Sequence, residues 1–169
     1  MAILDTGNST LSSSFYLGKY YDPNRQAKKA SNRKNMSGDS LIAYDSNAIN
    51  KFVKDIYKID YNAPQSNSES NLKNKVSAFV TIYNNFVGST KKSSSSDTVF
   101  RADKIKKLTK SQEKALNKMG ISIKEDATLE IDKDKFEDVD IEKVKSLFSN
   151  GSDFMKQLKK ISSKLDITV

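Results

Sequence analysis

Eight carboxylates fall within residues 126–142: Asp126, Glu130, Asp132, Asp134, Glu137, Asp138, Asp140 and Glu142. Such density admits a cation loop, a carboxylate pair for acid–base work, or helix caps on a solvated surface. A calcium loop of the EF-hand type needs oxygen donors at odd positions, glycine at the sixth and a bidentate Glu at the twelfth. Counted from Asp132, Asp134 falls at the third position, but Phe136, Glu137 and Lys143 fall at the fifth, sixth and twelfth. Counted from Asp126, Thr128, Glu130 and Glu137 fit, yet Ile131 stands where glycine is required. Both counts fail. Glycoside hydrolysis by two carboxylates would need an apolar or aromatic cleft that raises one pKa. The stretch offers only Phe136 and the following Phe148, and the chain has no Trp. The acids therefore read as caps and solvated surface.

Elsewhere the inventory is thinner. With no His and no Cys, imidazole and thiolate chemistry, c-type haem attachment, Cys/His zinc sites and disulfides are all excluded. The run "KKSSSSD" supplies hydroxyls without a His base; a Ser-Lys pairing is conceivable, and a linker is the simpler reading. Neither a Walker phosphate loop nor GxGxxG occurs. No catalytic, cofactor-binding or metal-binding residue is assigned, and no enzymatic activity is expected.

Charge is segregated along the chain. The formal net charge is +8. Residues 19–39 carry six basic against two acidic groups, residues 91–118 nine against three, and residues 124–145 five against nine. The local balances are +4, +6 and −4. Such a two-pole field suits self-association or an anionic partner. "NRQAKKASNRKN", with Tyr16, Tyr20 and Tyr21 nearby, could hold phosphates and stack bases as single-strand binders do.

The elements that would position these groups are mostly helical. Residues 1–39 lack both periods, contain Asp22-Pro23 as a turn signal, and read as a basic, Ser- and Asn-rich tail whose aromatics could dock on the rest. Residues 40–169 read as a helical rod-like domain. Leu41, Tyr44, Ala48, Ile49, Phe52, Val53, Ile56 and Tyr57 recur at helical steps, with Asp39 or Ser40 as N-cap. After a loop at Ala63-Pro64, Ser66 and Glu69 form a capping box. The next helix carries Leu72, Val76, Phe79, Val80, Tyr83, Phe86 and Val87 on one face, with Gly88 as its left-handed stop. The two long helices are expected to pack antiparallel.

"STKKSSSSDT" is read as a flexible connection. A third helical segment carries Ile105, Leu108, Ala115, Leu116 and Met119, with a break at a second capping box, Thr109 and Gln112, and an end at Gly120. Ile121 with Ile123, and Leu129 with Ile131, alternate as a hairpin near 121–131, which must lie against the helices to be stable. Asp132 and Asp140 are expected to cap two short helices bearing Phe136 and then Ile141, Val144, Leu147 and Phe148. Asn150-Gly151 is the next stop. The last helix places Phe154, Leu158, Ile161 and Leu165 on one side. The fold class is mainly α: an antiparallel helical bundle with one small β-hairpin.

No run reaches the roughly 18–20 apolar residues of a membrane span, and the N-terminus lacks the basic start and apolar core of a cleaved signal. "KVSAFVTIYNNFV" resembles the helix ending in FVxxYN of the flagellar filament-cap family, also called hook-associated protein type two. "LNKMGISIKEDATLEIDKDKFE" with "IEKVKSLFS" is similar to that family's C-terminal hallmark: a helix ending in Leu-x-x-x-Gly-Ile, a DGTL hairpin, an Asp-initiated turn and a helix ending in Val-x-x-Leu-Phe. The pattern covers roughly residues 72–165. The resemblance implies a non-enzymatic rod core used for assembly at a filament tip, with protein partners or self-association and a flagellar or extracellular location. Without it, a cytoplasmic, basic nucleic-acid-binding module is the alternative. Where the family's turn has glycine, this chain has Ala127, and an altered turn is expected because a non-glycine residue resists positive φ.

Overall fold

The computed structural model describes residues 10–61 and 66–165, apart from the side chains of 66–68. The Ala63-Pro64 loop and the Ser66 half of the expected capping box lie outside the described residues. Helix α1 (Ser13–Tyr20) and the short α2 (Ala30–Arg33) precede two long helices, α3 (Gly38–Ile56) and α4 (Ser66–Thr90). α5 (Ser96–Ser111) and α6 (Glu113–Lys118) lead into strands β1 (Ile121–Ile123) and β2 (Leu129–Ile131). α7 (Lys133–Asp138), α8 (Ile141–Leu147) and α9 (Asp153–Leu165) complete the described chain. The architecture is a mainly α bundle with one two-stranded antiparallel sheet.

α3 is the centre of the molecule. Leu41, Ile42, Ala48, Ile49, Phe52, Val53 and Ile56 are all within 1% of full burial and form one broad apolar stripe, while Asp45, Ser46, Asn50 and Asp55 are buried as well and leave the helix only a narrow outer side. It packs along α4 and α9 and also meets α1. Phe52 stacks on Phe79 of α4 at 4.8 Å, and Phe148 and Phe154 close edge-on against Phe79 at 5.7 and 6.5 Å. Each large side chain so buried contributes about 1.5–3 kcal/mol.

Several local expectations are corrected. α3 starts at Ser37, whose Oγ accepts the Ser40 N–H at 3.2 Å; Asp39 instead lies in the first turn and takes the Ser93 hydroxyl. Gly88 does not stop α4. The helix runs on to Thr90 because Ser89 and Thr90 are buried, the Thr90 hydroxyl donating to the Val87 carbonyl behind it and the Ser89 hydroxyl to Asp45 of α3. The connection after it is held rather than loose, with Ser93 on Asp39 and Ser95 capping α5 through the Thr98 N–H. The break before α6 forms at Gln112 with no side-chain cap, and Thr109 is buried within α5, so the second capping box is not made. α8 ends at Leu147, ahead of Asn150-Gly151, where Phe148 turns wholly into the core.

Residues 10–39 are no detached tail. Tyr16, Tyr20, Tyr21 and Ala27 belong to the one hydrophobic cluster that includes α3, α4 and α9. Phe15 alone of the four aromatics there stays outside, 49% exposed.

The hairpin has the expected register, Ile121 opposite Ile131 and Ile123 opposite Leu129. Gly120 takes φ +79° at its entry. Ala127 does not resist positive φ as expected: it adopts φ 68°. Its N–H bonds the Lys124 carbonyl at 2.9 Å while the Lys124 N–H bonds the Thr128 carbonyl at 2.8 Å. That is a three-residue hairpin loop whose last residue must be left-handed, a place glycine fills without strain. Asp132 and Asp140 cap α7 and α8 through the Lys135 and Glu142 N–H groups.

Candidate functional site

The acidic stretch is used up locally for the most part. Asp126 accepts the Thr128 N–H and hydroxyl at 3.0 and 2.5 Å, which, with Lys91 and Lys124 nearby, lowers its pKa. Glu130 pairs with Lys124 at 2.8 Å across the hairpin, Glu142 with Lys145 at 2.8 Å, and Asp132 and Asp140 are caps. Among the described residues no three carboxylates converge as a metal site would need. The groove between α4 and α7 is lined by Lys73, Val80, Ile131 and Phe136 and holds Glu137 as its only carboxylate. Asp132, Asp134 and Glu130 do not share it. Asp134, Glu137 and Asp138 remain on the exposed side of α7.

Half of the basic groups of residues 19–39, Lys19, Arg25 and Arg33, are likewise committed to ion pairs. Arg33 forms a fork on Asp45, Nη1 to Oδ1 at 2.8 Å and Nη2 to Oδ2 at 2.6 Å. The Tyr21 and Ser89 hydroxyls donate to the same carboxylate at 2.5 and 2.6 Å, and Asn85 Nδ2 donates to the Tyr21 oxygen at 3.0 Å. Asp45 is fully buried. Burial pushes its carboxyl up against the pull of Arg33, Ser89 and Tyr21, while burial draws Arg33 down and Asp45 more than restores it. Ten residues along α3, Asp55 receives the Lys19 ammonium at 2.7 Å, the Tyr20 hydroxyl at 2.8 Å and Lys75 of α4 at 3.1 Å. Burial raises the Tyr20 and Tyr21 phenols strongly, and the neighbouring carboxylates add to it. Rings held in this way are not available to stack on bases, so the pairing of Tyr16, Tyr20 and Tyr21 with "NRQAKKASNRKN" as a stacking platform is corrected.

The other basic segment is different. α5 and α9 pack side by side and leave between them a groove of about 810 Å³. Phe100, Arg101 and Lys104 line it from α5, and Lys160, Ile161 and Lys164 from α9. Phe100 is 61% exposed, more than any other large apolar side chain among the described residues. Lys104 Nζ stands 4.9 Å from the Phe100 ring centre, and Arg101 pairs with Asp97 at 2.9 Å.

Comparison with protein-family models, with curated proteins and with solved structures found no match. The functional reading therefore rests on geometry and on the sequence pattern.

Further cations recur along α5, α6 and α9, outside the groove lining as well as in it. Lys104, Lys107, Lys114 and Lys118 are exposed at three-, seven- and four-residue steps along α5 and α6, and Lys156, Lys160 and Lys164 at four-residue steps along α9. Sequence reading found the charge of 91–118 but missed the groove, since α9 lies some forty residues further on. The available signal was Phe100, a large aromatic with charged neighbours in a polar run. No helix among the described residues is long and apolar enough to cross a membrane.

Proposed function

We propose that the chain is a non-enzymatic structural or assembly protein resembling the rod core of the flagellar filament-cap family. One observation carries the reading: the two pieces of sequence that bear the resemblance, Tyr83-Asn84 on α4 and Leu129 in the hairpin, touch directly. Asn84 Oδ1 accepts the Leu129 N–H at 2.7 Å and Asn84 Nδ2 donates to the Leu129 carbonyl at 2.8 Å. The side-chain amide thus acts as a further strand partner for β2 and fixes the hairpin to the long helix. Charged surfaces of opposite sign suit protein contacts: Asp126, Glu130, Asp132, Asp140 and Glu142 serve the turn, caps and ion pairs, and Asp134, Glu137 and Asp138 stay exposed. The test is to label the chain in the producing cells, shear off surface filaments and cross-link. Co-fractionation with filament material and protein cross-links support assembly; a cytoplasmic pool cross-linked to nucleic acid overturns it.

A second reading, nucleic-acid binding, draws on the α5–α9 groove, where an exposed ring stands among cations as in single-strand binders. It predicts binding of a single-stranded oligonucleotide that falls steeply with salt. Negligible binding at low salt removes it.

A further inference from the structure

We propose that the α5–α9 groove is a docking site for the acidic outer face of α7 on a second copy of the same chain. This rests on the assembly reading and names one contact within it.

The groove favours an occupant with negative charge, since its one lining carboxylate, Asp97, is paired with Arg101. Lys104 and Lys160 face it from opposite walls, and no ion pair within the described chain uses either one. The chain carries the matching surface. Asp134, Glu137 and Asp138 are exposed within five residues of α7, at three- and four-residue steps that place them on one side of the helix, with the exposed Lys133 and Lys135 at its two edges. None has an ion-pair partner among the described residues. α7 is a short element of six residues, about 9 Å long; Phe136 faces the core, so the acidic side alone would meet the groove.

The two surfaces cannot satisfy one another inside a single molecule as it stands. α7 lies on the α4 side, where Lys73 Nζ donates to the Glu137 carbonyl at 2.5 Å. α9 packs along α3, with α5 beyond it. An exposed acidic surface and a basic groove on each copy make a heterologous, head-to-tail contact, which propagates into a row or closes into a ring. A single-stranded nucleic acid fits less well. It is read by successive stacked bases, whereas the groove offers one ring, and the acidic face would repel a polyanion. The contact is small and polar at its rim, so its association is weak and strongly weakened by salt.

The experiment uses the full chain in sedimentation equilibrium at low and high salt, with a single-stranded oligonucleotide as a separate arm. Wild type is expected to self-associate at low salt and to weaken by about tenfold or more when salt is raised to a Debye length of about 3 Å. The groove variant, Lys104→Glu with Lys160→Glu, and the face variant, Asp134→Lys with Asp138→Lys, are each expected to be monomeric alone. Mixed in equal amounts they regain association, because the intact face of one meets the intact groove of the other. Far-UV circular dichroism checks that both variants fold. A wild type that stays monomeric at low salt, variants that associate as wild type does, or a mixture that stays monomeric overturns the proposal. So does a wild-type monomer that binds the oligonucleotide and loses it in the groove variant. A monomeric wild type that still cross-links to filament proteins overturns this contact alone and leaves the assembly reading standing.

Discussion

Asn84 and Leu129, forty-five positions apart, exchange two hydrogen bonds between one side-chain amide and one residue's backbone. Replacing the amide leaves an N–H and a carbonyl without partners at a part-buried site, at about 1–3 kcal/mol. Asn84→Ala is therefore expected to lower the denaturant midpoint and to speed hydrogen exchange at Leu129 more than at α3. Asn84→Asp should cost more, since a carboxylate would face the Leu129 carbonyl. Unchanged exchange at Leu129 in Asn84→Ala would sink the claim that this amide holds the hairpin.

Ala127 is held at φ 68°, in the region where a Cβ costs an L-residue about 1–2 kcal/mol. Glycine escapes that strain but loses more chain entropy on folding. Ala127→Gly should still be net stabilising by up to about 1 kcal/mol, and Ala127→Val clearly destabilising. Thermal unfolding of the pair checks both signs; a destabilised glycine variant would contradict the strained turn.

Among the described glycines Gly38 has the least room for a side chain. A Cβ there would lie 2.2–2.4 Å from the Lys92 carbonyl carbon and oxygen and the Ser93 nitrogen. Neither neighbour is a flexible side-chain tip, so α3 and the α4–α5 connection must separate. Gly38→Ala is expected to cost about 1–3 kcal/mol, as overpacking does, although alanine is the better helix former. Chemical denaturation measures it, and a neutral result would place the connection elsewhere.

Asp55 supplies a pH dependence. Burial acts to raise its carboxyl, but the Lys19 ammonium, the Tyr20 hydroxyl and Lys75 outweigh it and hold the pKa below the ordinary value. A folded pKa below the unfolded one, about 3.9, means the stabilisation is complete above that value and lost as pH falls through the folded pKa. Wild type should thus lose stability below about pH 4, and Asp55→Asn should be weaker at neutral pH with a shallower acid slope. Equal slopes in the two proteins, measured by denaturant midpoint against pH, would remove Asp55 as a source of acid lability.

Much of the framework was legible because it is local. Ile121, Ile123, Leu129 and Ile131 alternate at period two beside Gly120, and Asp132 and Asp140 each precede the helix they cap. Phe154, Leu158, Ile161 and Leu165 repeat at helical steps. What was hidden depends on distant partners. Asp45 and Asp55 stand at helical steps from Leu41, Ile49 and Phe52, where a carboxylate has no place by pattern alone, and only Arg33, Tyr21, Ser89, Lys19, Tyr20 and Lys75, brought in from other elements, account for them as interior groups. Tyr20 and Tyr21 carried no period because α1 is two turns long and is fixed by those carboxylates. Gly88 reads as a stop until the burial of Ser89 and Thr90 carries the helix past it.

The two interior acids of α3 bear on what can be cut away. A fragment beginning at Gly38 would keep Ser89 on Asp45 and Lys75 on Asp55, but would strip Arg33 and Tyr21 from the first and Lys19 and Tyr20 from the second. Two carboxylates would then face a core short of their donors, a loss of several kcal/mol. The residues a trimming experiment would discard first are thus part of the smallest piece able to stand by itself, whose boundary falls upstream of Tyr16.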